Sequence, residues 1–229
     1  DRHSQAKRKD GNEWMLADLL YHMVFIPMLV IQCVIGLGWE RSSWEEAVKA
    51  RWHARSHASD AYLILYLSST IVHAGVVAMK DLPQTAKLQL AVHHLISIAS
   101  YGMALASGKA HPLCLAAGLC EINAYFLNIV LLCKELGVNS GLFLTFTGIL
   151  LWVTQIALRL VLFSVLSYGV AVDIISGTPE LDGVPAVQAW FGFLSMALLL
   201  VLSAVWTVPI TRGLIKALRG ESGGKAKVS

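Results

Sequence analysis

Polar and apolar positions alternate in long blocks along this chain. Six apolar runs, about Trp14 to Gly36, Ala61 to Met79, Leu88 to Ala106, Pro112 to Cys133, Gly141 to Tyr168 and Ala186 to Ile210, are separated by short polar loops. Each is long enough to cross a bilayer core of ~30 Å, which takes roughly 20 helical residues. Backbone amides in hydrocarbon must bond within their own segment, so the runs predict helices. Pro27 would kink the first, and Pro112 suits the first turn of the fourth. The fifth run is longer than the core requires, which predicts tilt or extension beyond it. The fold class is therefore an all-α membrane protein, a bundle of about six transmembrane helices.

An even number of spans puts both termini on one side. The loops and tails of that side carry most of the Lys and Arg. The opposite side carries only Arg41, Lys49, Arg51, Arg55 and Lys109, while the segment from Ala171 to Val184 has three acids and neither Lys nor Arg. The asymmetry predicts that both termini lie on the cytoplasmic-equivalent side. Residues 1–13 read as a polar basic N-terminal segment without signal-peptide pattern, 14–216 as the transmembrane domain, and 217–229 as a flexible basic tail.

Composition sharpens this only in part. Charged residues make up 14% of the 229 positions, against about 25% in soluble domains. A formal net charge of +3 argues against nucleic acid as a partner. Cys33, Cys114, Cys120 and Cys133 form no CxxC pair, so they predict small buried hydrophobes, not a disulfide frame or zinc site.

The chemistry lies in polar residues placed inside the spans. His93 is six residues from Lys87 and His73 seven from Lys80, which puts both ~9–10 Å deep. His22 and Asn128 enter from the same side, so His22, His73, His93, His94 and Asn128 form one expected polar layer. Glu121 and Arg159 lie deeper, each ~14 Å from the opposite side, and are expected to pair or to share a polar cavity. Helical spacing supports inward stripes. Gln89, His93, Ser97 and Ser100 recur on the third span, Glu121, Tyr125 and Asn128 on the fourth, Tyr62, Tyr66, Ser69 and His73 on the second, and Trp152, Gln155 and Arg159 on the fifth. Neighbours on a helix point ~100° apart. His93 is thus expected to face the cavity and His94 to sit at its edge or bond another helix. Side-by-side histidines do not chelate as an i, i+4 pair does, so no metal is expected, and no cofactor.

The strings HHLISIASYGMALASG, AAGLCEINAYFLNIVLLCKELG and TGILLWVTQIALRLVLF resemble the core of the TLC domain. That family includes the ceramide synthases and small TLC-domain lipid proteins. Its pattern of a double His, then a carboxylate followed by a Phe-Leu-Asn string, then a Gly-led span with an Arg is matched by His93–His94, Glu121 with Phe126-Leu127-Asn128, and Gly148 with Arg159. The resemblance implies lipid binding, lipid handling or membrane lipid homeostasis, with an endoplasmic reticulum location or, alternatively, a mitochondrial or plastid membrane. Departures bear on chemistry. Cys120 stands where ceramide synthases carry a second catalytic histidine, Tyr66 where the family often has Asp, and no loop has room for the homeobox-like insert.

Three functions follow as expectations. One is a lipid-handling protein, with acyl transfer as its reaction class if it is an enzyme. His93 or His94 would be the general base, Glu121 would orient an imidazole or amine, and Arg159, Asn128, Tyr125, His73 and Gln155 would bind the lipid and its acyl chain. The alternative is a non-catalytic subunit that keeps the fold as scaffold among protein partners. A proton or ion transporter is the third, without a visible inverted repeat. A cavity reaching His93 and Glu121 separates the first from the second.

Overall fold

The computed structural model describes residues 2–37, 50–79, 82–138, 140–177 and 181–219, with side chains from Leu16 onward. Arg41, Lys49, Lys80, one acid of the segment from Ala171 to Val184 and the tail beyond residue 219 lie outside the described residues. Among the described residues the secondary structure is helical throughout, without a strand.

Helix α1 spans Arg2–Leu37 and runs through Pro27. α2 is His57–Met79 and α3 is Gln84–Ser107, ended by Gly108 in the left-handed conformation. The fourth span has two parts, α4 (His111–Gly118), opened by Pro112 in its first turn, and α5 (Glu121–Glu135). The fifth has three parts: α6 (Leu142–Thr154), a π-helical segment (Gln155–Val161) and α7 (Leu162–Ser176). α8 is Ala186–Leu218. Six helical stretches are long and apolar enough to cross a membrane: Leu16–Leu37, His57–Met79, Gln84–Ser107, His111–Glu135, Leu142–Ser176 and Ala186–Leu218. Only 17–28% of each apolar window is buried in the protein. The remaining faces, with residues such as Val24, Ile31, Ile71, Leu95, Phe143 and Val201 exposed, need hydrocarbon around them.

The packing order closes a ring. α1 packs on α2, α2 on α3, α3 on α8, α8 on α6 and α7, α6 on α5, and α5 back on α1. One end of the ring is filled. Leu29, Cys33, Tyr62, Leu63, Tyr66, Tyr101, Ala104, Cys114 and Leu115 make one core, and Trp52, Ala110, Cys120, Phe163, Val170, Ala189 and Met196 a second. Two buried polar groups in the first core find backbone partners, while Tyr62 Oη has none. The Cys33 thiol donates to the Leu115 carbonyl at 2.6 Å, and Tyr101 Oη donates to the Cys114 carbonyl at 2.9 Å. Cys33, Cys114 and Cys120 are buried, as small hydrophobes would be; Cys133 is only half-buried, because it lies in the last turns of α5.

The same end is tied by a carboxylate. Asp173, 1% exposed, accepts from Arg51 Nε at 2.6 Å, from Arg51 Nη2, and from Trp52 Nε1 at 2.7 Å. The Ala110 N–H donates to the Trp52 carbonyl at 2.7 Å. These bonds fasten the segment before α2 to α7 and to the start of α4. Gly118 marks the tightest approach within the filled half. A Cβ built there would lie 1.8 Å from Tyr62 Oη, so only glycine fits.

Candidate functional site: a polar-floored cavity in the helix ring

The other half of the ring encloses a cavity of about 770 Å³, within the ~300–1,000 Å³ range of small-molecule sites. All six spans contribute to its lining. Leu131, Leu144, Leu214 and Ile210 give aliphatic wall, and the exposed Lys134 and Lys216 stand at the open end. From Lys134 down α5 to Glu121 is thirteen residues, or ~20 Å of helix. The cavity is therefore deep and narrow, with Glu121, Asn123, Gln155, Arg159, His93 and Trp206 toward its floor.

Two of the floor groups are fixed by bonds between spans. Asn123 Nδ2 donates to the Leu151 carbonyl at 2.9 Å and to Thr154 Oγ1 at 3.2 Å. Gln155 Nε2 donates to the Ser203 carbonyl at 2.9 Å and to Thr207 Oγ1 at 3.1 Å. The π segment begins at Gln155 and contains Arg159. A π turn is a costly local geometry found mostly at functional sites. Arg159 is 8% exposed, and its Nε has no hydrogen-bond partner in the protein. Its guanidinium carbon lies 5.7 Å from the Trp206 ring centre. His93 meets the same ring at 5.8 Å between centroids, and His93 Nδ1 is likewise buried without a partner. Trp206 is held by its own Nε1–H, which donates to Gln89 Oε1 at 3.1 Å. One indole thus packs against both a guanidinium and an imidazole, each with one buried nitrogen unmet.

Nearer the open end the histidines gather. His94 Nε2 lies 3.0 Å from His73 Nδ1, and His94 Nδ1 lies 2.5 Å from the Leu90 carbonyl oxygen. The His22 and His73 ring centres are 4.5 Å apart, and those of His93 and His94 5.5 Å. His22, His73, His93, His94 and Asn128 all line the cavity, and the four histidine rings form a continuous cluster. His94 bonds the neighbouring helix α2, while His93 sits against Trp206.

Other expectations need adjustment. Among the described residues no ion pair joins Glu121 to Arg159; the two share the cavity instead. Tyr125 does not line it. The lining face of α5 runs through Ala124, Leu127, Asn128 and Leu131, and Tyr125 is turned a further ~100° past Ala124, with its ring edge-on to Phe126. On α3 the inward stripe stops at His93, since Ser97 and Ser100 do not reach the cavity. Trp152 is spent on another bond, Nε1 to Thr211 Oγ1 at 3.1 Å.

Sequence reasoning missed four contributors. Asp18 was not singled out, yet His73 Nε2 lies 3.6 Å from its Oδ2; the Asp-x-x-x-His spacing to His22 was the available signal. Trp206 was one aromatic in an apolar run and gave none. Lys134 and Lys216 read as plain loop charges.

The family model for the TLC domain matches residues 16–212. The chain belongs to the TLC-domain family. No curated protein and no solved structure matches it. The matched residues reach into all six spans and take in every cavity residue named above except Leu214 and Lys216. The TLC domain here is thus the ring itself, with the double His and the span-four carboxylate opening onto one chamber.

Proposed function

We propose that this TLC-domain protein binds a membrane lipid in the ring, with the lipid's polar linkage at the floor and an acyl chain along the aliphatic walls. The observation that carries the reading is the open cavity reaching His93, Glu121 and Arg159, with Nε of Arg159 and Nδ1 of His93 unmet. A buried donor without an acceptor costs ~1–3 kcal/mol. An ester, amide or carboxyl oxygen seated there recovers that cost. A fold retained only as scaffold has no use for an open chamber of this size, since filling it with side chains would be more stable.

Acyl transfer is the reaction class these groups support. His93 would take the proton from an acceptor amine or hydroxyl as that group attacks the acyl carbonyl. Arg159 Nε–H would donate to the oxyanion that forms. The proton then passes from His93 to the departing group as the acyl bond to it breaks. Cys120 lies in the second packed core, away from the lining, and is not assigned a role. The family likeness supports an endoplasmic reticulum location.

The test is direct. The purified protein is treated with a diazirine-bearing palmitoyl probe, irradiated, and digested for mass spectrometry. Adducts on Leu127, Leu131 or Leu214 are expected. Ala124→Phe, which narrows the chamber, should lose most labelling while keeping its elution volume. Labelling confined to outward residues such as Val24 or Leu95, or unchanged in Ala124→Phe, would refute the reading.

A further inference from the structure

We propose that Asp18, His22 and His73 form a site for a first-row divalent cation of the zinc class at the cavity's open end, with His94 as the hydrogen-bonded support behind it. Asp18 and His22 stand four residues apart on α1 and share one face of that helix. His73 comes across from α2. One donor atom from each residue lies within 4.8 Å of the other two. His22 Nδ1 is 3.5 Å from Asp18 Oδ1, and His73 Nε2 is 3.6 Å from Asp18 Oδ2. Donors bonded at ~2.0–2.1 Å to a tetrahedral zinc sit ~3.3 Å apart, so both carboxylate–imidazole distances are already close to that spacing.

The hydrogen bonds fix which lone pairs point inward. His94 Nδ1, 2.5 Å from the Leu90 carbonyl oxygen, must carry its proton. A neutral His94 then has a lone pair on Nε2. The 3.0 Å contact to His73 Nδ1 therefore requires the proton on His73 Nδ1. A neutral His73 is left with its lone pair on Nε2, aimed at the Asp18 carboxylate. A cation seated between the two would be bonded by both. A ring whose far nitrogen donates to a fixed acceptor, leaving the near one free, is the usual arrangement of a metal-bound histidine. His22 is held on α1 with Nδ1 2.8 Å from the Asp18 carbonyl oxygen. Ligation through Nδ1, the atom nearest Asp18 Oδ1, would replace that bond.

Three protein ligands leave a fourth position for water or an anionic oxygen, as in zinc sites that act on substrates. His22 and His73 line the cavity, so a group entering past Lys134 and Lys216 would pass this position. The site also stands apart from the lipid reading, because its residues are not the floor residues that reading depends on.

The test uses the full chain in detergent, stripped with a chelator and desalted. Zinc is added, excess is removed, and retained metal is counted by mass spectrometry. About one zinc per chain is expected. X-ray absorption of the loaded wild type should show two imidazoles and one carboxylate oxygen near ~2.0 Å, a reading that needs no variant. Asp18→Asn and His73→Gln should abolish retention, and His94→Gln should weaken it roughly 10–100-fold. His57→Ala, exposed at the other end of α2, should bind as wild type. No retained zinc in the wild type, a sulfur ligand in the absorption spectrum, or retention unaltered in Asp18→Asn and His73→Gln each overturns the site.

Discussion

Replacing Arg159 by Gln separates two roles a buried cation can play. A structural arginine is paired, and removing one member of a buried pair costs ~3–5 kcal/mol. Arg159 has no paired carboxylate within the described residues, and its Nε is unmet. Its documented attraction is the Trp206 face at 5.7 Å, worth ~0.5–2 kcal/mol. Losing that contact is offset by relief of a desolvated charge, so the ligand-free protein should change by no more than ~1 kcal/mol. Binding should respond differently. A hydrogen bond to a charged donor contributes ~1.5–3 kcal/mol, or about 10- to 150-fold in Kd. The assay pairs equilibrium binding of the palmitoyl probe with SDS-driven unfolding in mixed micelles, both on Arg159→Gln. Arg159→Lys is the companion variant: it keeps the charge, loses Nε, and should recover only part of the affinity. An Arg159→Gln protein destabilised by ~3 kcal/mol, with unchanged probe affinity, would make this arginine a structural element and remove the strongest support for the lipid reading.

Other perturbations probe the frame that holds the chamber. Asp173→Ala leaves the Arg51 guanidinium and the Trp52 indole N–H without their acceptor, and Trp52 is 1% exposed; a loss of ~3–5 kcal/mol is expected in the same unfolding assay. The Arg51→Ala, Asp173→Ala double variant should lose less than the sum of the singles, and strict additivity would contradict the coupling. Gly118→Ala drives a methyl into Tyr62 Oη and should cost at least ~1–3 kcal/mol; normal stability would mean that the α2–α4 contact is looser than described. Trp206→Leu removes the ring that orients His93 and Arg159. It should weaken probe binding by about tenfold, a loss of ~1.4 kcal/mol, while leaving zinc retention intact.

The spans were legible because hydrocarbon imposes one solution on the backbone, and runs of about 20 apolar residues leave little else to choose. The histidine layer was legible for a related reason. Depth along a helix follows from residue count, so His22, His73, His93 and Asn128 could be placed at one level before any contact was known. What depth cannot give is azimuth. Tyr125 shares its helix with Asn128 and fits an i, i+4 pattern from Glu121, yet faces elsewhere. Asp18 was invisible because a carboxylate near the start of a span is cheap at the interface, and only its distance to a histidine on another helix reveals a second use.

The floor was least legible, and its geometry explains why. Spans four and five both leave α-helical form beside it: the fourth breaks between Gly118 and Glu121, and the fifth turns π-helical from Gln155. Each interruption disturbs backbone bonding where water is scarce. The side chains at these points bridge to other spans, Asn123 to the Leu151 carbonyl and Gln155 to the Ser203 carbonyl. A pattern read at 3.6 residues per turn loses phase across both breaks, so Glu121 and Arg159 could be assigned a depth but not a partner. Both irregularities lie beside a cavity lined by a carboxylate and a guanidinium, Glu121 and Arg159, that no ion pair joins among the described residues, so both side chains are placed to meet the lipid linkage proposed for the chamber.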